Sequence, residues 1–149
     1  MKNANIWNTI FKNELFYNII FIYTMSSIIY EYFTILFILV IVDSLYLYTI
    51  KNPFSSMIES IQQSFVEVKL FSVFICYLLV SACIFYFIWK KKASYKEAFL
   101  LGCLVYGIFD STNHALFNNW SVQLSIIDTV WGGTLFTCTY FVMKLLYLR

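Results

Sequence analysis

Three aspartates and the chain's one histidine stand well inside runs apolar enough to cross a bilayer. They are Asp43 in EYFTILFILVIVDSLYLYTI, Asp110 and His114 in YKEAFLLGCLVYGIFDSTNHALF, and Asp128 in SVQLSIIDTVWGGTLFTCTYFVMKLLYL. Each aspartate is followed three residues later by a side chain that can donate a hydrogen bond, giving DSLY, DSTN and DTVW. Carboxylates can serve as hard oxygen ligands for a divalent cation, as acid or base groups, or as acceptors that tie helices together. A charge at mid-membrane costs about 2.5–3.5 kcal/mol on insertion scales, so three unpaired carboxylates would cost on the order of 7–10 kcal/mol, somewhat less nearer the surface. No Lys or Arg lies at their depth in any span, which leaves His114 and the neutral donors Tyr46, Tyr106, Thr112, Asn113, Thr129 and Trp131. Desolvation and mutual repulsion disfavour three ionised carboxylates side by side. The cluster is therefore expected to hold protons or to bind a divalent cation through Asp43, Asp110 and Asp128.

The elements that must position these groups follow from composition. With 61% hydrophobic residues, 21% aromatic and 12% charged, the chain is far from the roughly 25% charged of an average soluble domain, and it reads as a membrane protein. At 149 residues, with no Pro/Gly/Ser-rich linker, one compact domain is the expectation. A net charge of +2 and scattered basic residues exclude a nucleic-acid groove, although Lys90, Lys91 and Lys92 form a local run. Cys76, Cys83, Cys103 and Cys138 all fall in apolar runs without CxxC or Cys/His spacing, so they report packing and not disulfides or zinc. The first thirty residues do not read as a cleaved signal peptide, because Glu14, Asn18 and Glu31 surround the stretch YNIIFIYTMSSIIY.

A span needs about 20 apolar residues, and four candidates meet that length near 31–50, 69–89, 95–117 and 121–148. Backbone groups in lipid must bond within their own segment, so the expected fold is an all-α, antiparallel four-helix membrane bundle over 31–149. Residues 1–30 form an N-terminal extension, read as an interfacial helix or a lengthening of the first span, with a fifth span over about 6–30 as the alternative. In the first connection Phe54, Met57, Ile58, Ile61, Phe65 and Val68 recur at helical spacing, with Asn52 as a cap and Pro53 in the first turn. That predicts a separate amphipathic helix lying flat on the outer surface. Trp89 and Trp120 read as interface anchors at span ends, and Gly132 with Gly133 as a close helix contact.

Lys90, Lys91, Lys92 and Lys96 crowd the second connection, which places that loop and both termini in the cytoplasm. Asp43, Asp110 and Asp128 each then lie seven residues from the outer end of their span, roughly 10 Å below the outer surface. The helical repeat aligns Tyr106, Asp110, Asn113, His114 and Phe117 on one face of the third span. On the fourth it groups Asp128 with Trp131 and Gly132, and on the first Asp43 with Tyr46 and Leu47.

These stretches resemble a family of small membrane proteins, domain of unknown function 2177. YGIFDSTN at 106–113 is similar to the family's YGxYDxTN, DTVWG at 128–132 to its DxxWG, and VDSLYL at 42–47 to its DxxWL with Tyr46 in place of Trp. The resemblance runs from about residue 33 to the end. It implies four spans and Asp43, Asp110, Asn113, Asp128 and Trp131 as signature positions, with His114 outside the pattern. It carries no activity; bacterial members often lie beside lipid-modifying genes.

Three readings follow. In the first, the polar pocket formed by Asp43, Tyr46, Tyr106, Asp110, Asn113, His114, Asp128 and Trp131 binds or acts on a lipid headgroup from the outer leaflet, with or without a divalent cation. In the second the aspartates form only an interhelical hydrogen-bond network. In the third they line a proton or cation path, which the Leu, Phe, Cys and Val below the layer disfavour. Membrane lipids and a second copy of the chain are the partners compatible with this composition.

Overall fold

The computed structural model describes the backbone of residues 2–147, with side chains of Phe16 and from residue 18 onward. Four α-helices follow in order: α1 Lys2–Gln62, α2 Leu70–Cys83, α3 Tyr95–Leu116 and α4 Val122–Tyr147, with no strand among the described residues. A π-helical stretch, Ile84–Trp89, carries α2 onward to the lysine-rich turn. Three helical stretches are long and apolar enough to cross a membrane: Asn18–Gln62, Leu70–Trp89 and Val122–Tyr147. The third span expected from sequence, α3, is 22 residues long but falls outside that set, because Asp110, Thr112, Asn113 and His114 crowd its last two turns.

The chain divides into two compact units, Met1–Phe33 and Thr34–Arg149. In the first, the described residues are helical and bear exposed apolar side chains such as Ile20, Phe21, Ile22 and Tyr23. The helix α1 has no break at residue 30.

In the second unit, Ile35, Leu39, Asp43, Ile50 and Met57 are the buried positions of one stripe on α1. Its lower part packs with Ile84 and Ile88 of the π-helical stretch, Ala98 of α3, and Leu135, Phe136, Tyr140 and Met143 of α4. The Tyr140 hydroxyl donates to the Ala93 carbonyl at 2.6 Å, closing the turn before α3. Ser94 begins α3 with a reciprocal cap: its hydroxyl accepts from the Glu97 N–H at 3.2 Å and its own N–H reaches the Glu97 carboxylate at 2.6 Å. Gly102 faces the backbone of Gly132, and a Cβ there would collide with the Gly132 carbonyl oxygen. A Cβ on Gly133 would fall 2.6 Å from Cys103 Sγ. The close contact expected at Gly132 and Gly133 is thus made by α3.

The first connection differs from expectation. The amphipathic segment is no separate surface helix: up to Gln62 it is the end of α1, which continues through Pro53, and Phe65 and Val68 lie beyond the helix. Proline there removes one intrahelical bond, yet tertiary contacts hold the helix on course. Phe54 meets Trp120 edge to face at 6.0 Å, Met57 is buried with its sulfur accepting the Ser121 N–H at 3.2 Å, and Asn119 Nδ2 donates to the Ser60 carbonyl at 3.3 Å. The helix stops where Gln63 takes a left-handed φ of 56°. Gln62 Nε2 bonds the Ser64 and Phe65 carbonyls beyond.

Candidate functional site

Two of the aspartates exchange donors across α1 and α4. Trp131 Nε1 of α4 donates to Asp43 Oδ1 at 2.9 Å, while the Tyr46 hydroxyl of α1 donates to Asp128 Oδ1 at 2.9 Å. Between the two bonds the Tyr46 and Trp131 rings stack, with centroids 4.3 Å apart and planes within 10°. The geometry explains the spacing. In two antiparallel helices an acceptor on one and a donor three residues later, almost one turn on, face the mirrored pair on the other. DSLY and DTVW are the two halves of this exchange, and either Tyr or Trp can fill the donor position. Asp43 takes a second donor, the Tyr77 hydroxyl of α2 at 2.7 Å on Oδ2. Both carboxyls are buried, Asp43 at 6% and Asp128 at 9% exposure.

The third match, DSTN, does something else. Asn113 turns its Nδ2 back to the Phe109 carbonyl at 3.0 Å. Asp110 is instead met by Trp120 Nε1 at 3.2 Å, a donor shared with Ser125 Oγ at 3.0 Å. Trp120 is therefore no interface anchor; it is 6% exposed and points inward from the α3–α4 connection. Asp110 also has the side chains of Ser125 and Asp128 within hydrogen-bonding reach. All three aspartates thus belong to one polar layer, though the pocket expected from sequence is divided. Asp43, Tyr46, Tyr106 and Asp128 line a cavity of about 380 Å³ together with Tyr77, Lys51 and the apolar Leu47, Ile50, Phe54, Val73 and Val80. Asp110 and His114 line a second cavity, of about 330 Å³, with Ser125 and Thr129. Asn113 borders a third space beside Phe109 and Trp120.

Residues 28–144 match the family model described as predicted membrane protein, domain of unknown function 2177. The chain belongs to this family. No curated protein and no solved structure matches it. The matched region of this family member contains all three aspartates and the four aromatic donors, Tyr46, Tyr77, Trp120 and Trp131. It places the protein among integral membrane proteins without assigning an activity.

Among the described residues no three His, Cys, Asp or Glu side chains group so as to hold a metal ion. Asp43, Asp110 and Asp128 each turn at least one oxygen to an aromatic N–H or O–H of another segment. Sequence reasoning missed Tyr77 and Trp120. Tyr77 carried a usable signal, since it lies eight residues into the second span, at the depth of the aspartates. Trp120 carried none, because a Trp between two spans reads as an anchor until the fold is known. His114 is exposed and does not reach the Asp43–Asp128 cavity.

Proposed function

We propose that the cavity between α1 and α2 receives the polar head of a membrane amphiphile, one that donates hydrogen bonds through hydroxyls or an ammonium group, from the outer leaflet. The observation that carries this reading is the make-up of the cavity wall. Its floor presents the acceptors Asp43 and Asp128 between the rings of Tyr46, Tyr77 and Tyr106, while its sides are apolar, Leu47, Ile50, Val73 and Val80 among them. Such a surface suits a ligand with a donor-rich tip and a hydrocarbon body. Buried acceptors with aromatic neighbours favour a cationic or hydroxylated head and disfavour an anionic one. Lys51 stands two helical turns from Asp43, about 12 Å of rise, where a phosphate of the same head could be met. In this reading the lysine run at Lys90–Lys92 and both termini face the cytoplasm. A path through the membrane fits less well, since Ile35, Leu39, Ile84, Leu135 and Phe136 fill the interior beyond the aspartates.

The reciprocal exchange between α1 and α4 supports a second reading, in which the aspartates only tie helices together. Native mass spectrometry separates the two. The wild-type protein is expected to retain a lipid adduct with a hydroxylated or amino headgroup. Leu47→Trp, which fills the cavity from a partly exposed position, should reduce retention at least tenfold without lowering the melting temperature. Equal retention in both proteins, or no adduct in either, would leave the helix-tying network as the site's whole role.

A further inference from the structure

Asp128 lines the first cavity and Asp110 the second, and one oxygen of these two carboxyls is buried without a hydrogen-bond partner. Asp110 is 2% exposed and its Oδ2 is buried without a hydrogen-bond partner, while its Oδ1 accepts from Trp120. Asp128 has its own Oδ1 bonded by Tyr46. Ser125 and Asp128 are the further polar neighbours of Asp110; the Ser125 hydroxyl is given to the Ser121 carbonyl at 3.0 Å, which leaves Asp128 to meet the unbonded Oδ2. Two carboxylates bring only lone pairs to such a contact and repel one another; with one proton between them each remaining oxygen is satisfied and the pair carries a single negative charge.

We propose that Asp110 and Asp128 form a proton-sharing carboxyl pair, a buried proton-binding site that links the cavity lined by Asp128 to the cavity lined by Asp110. The ligand is a hydron, held between α3 and α4 by Asp110 Oδ2 and the free oxygen of Asp128. The titratable groups around the pair are Asp43 and Tyr46 on α1, Cys76 and Tyr77 on α2, and Tyr106 and His114 on α3. Among the described residues Lys51 is the one Lys or Arg lining either cavity, at the far end of the first, and His114 lies exposed at the second; neither forms an ion pair with the two carboxyls. The proton neutralises one carboxyl in their place. It can be handed from Asp128 to Asp110 without crossing lipid, so a donor-rich ligand bound in one cavity can exchange protons with the other. This inference does not depend on which ligand the first cavity takes.

Infrared spectroscopy of the protein in lipid nanodiscs reads the pair directly through the C=O stretch of protonated carboxyls, with isotope-labelled aspartate to separate it from glutamate. The wild type is expected to show one such aspartate band at neutral pH, shifted by deuterium exchange. Asp110→Asn and Asp128→Asn should each abolish it, because the amide donates to the remaining carboxylate. Asp43→Asn, whose carboxyl has two aromatic donors, should keep it. Absence of the band in the wild type, its survival in either pair variant, or its loss in Asp43→Asn would overturn the assignment. Should one pair variant fail to fold, the other decides: loss of the band there upholds the pair, and its survival ends it.

Discussion

Asp43 receives donors from two helices, Trp131 of α4 and Tyr77 of α2, so changing its charge while keeping its shape probes the layer at a single atom. Hydrogen bonds to charged groups contribute roughly 1.5–3 kcal/mol in water-soluble proteins and on average nearer 0.6 kcal/mol between membrane helices. Asp43→Asn is accordingly expected to destabilise the second unit by about 1–3 kcal/mol, measured by denaturant unfolding in mixed micelles. Trp131→Phe keeps the stacking ring and removes only the N–H. Combined with Asp43→Asn it should show a coupling of at least about 0.5 kcal/mol, as contacting residues do; strict additivity would mean that the bond is not formed. At this scale much of the site was legible. Asp spacing and depth marked the layer, and DSLY with DTVW marked the donors Tyr46 and Trp131. Asn113 and His114 misled, because sharing a helical face with Asp110 does not decide where a side chain's bonds go. Asn113 satisfies itself on its own helix, a local option always open to short polar side chains.

The elements test differently, through backbone approach. At Gly102 an added methyl meets the Gly132 carbonyl, whereas at Gly107 it would lie 3.4 Å from the Thr129 methyl, an ordinary contact. Gly102→Ala should therefore destabilise by about 1–3 kcal/mol as α3 and α4 are forced apart. Gly107→Ala should be neutral or stabilise by up to about 1 kcal/mol through reduced chain entropy. Thermal unfolding in detergent compares them, and equal effects would contradict the close α3–α4 approach. Helix positions were readable because apolar length dominates in lipid. Where α1 ends was not readable. Asn52 and Pro53 look like the start of a new helix, and only the packing of Phe54 and Met57 on the 117–121 connection keeps the old one going. The same packing buries Trp120, so one misjudged boundary concealed both the continuation of α1 and the donor of Asp110.

Taken as a whole, the second unit is layered. An apolar core around Leu39, Ile84 and Phe136 separates the lysine-rich turn from the aspartates. Above the core lies the aromatic-bonded acid layer, opening into a cavity walled by α1 and α2. The proposed function needs that cavity to admit an amphiphile while the layer stays bonded. A high-resolution cryo-EM map of the protein in nanodiscs containing lipids with amino and hydroxylated headgroups examines both requirements at once. The expected map shows Trp131 on Asp43, Tyr46 on Asp128, and a headgroup density between Tyr77 and Tyr106 within hydrogen-bonding distance of the two carboxyls. A map in which those carboxyls turn outward to acyl chains, or in which Leu47 and Val80 close over the cavity, would contradict it.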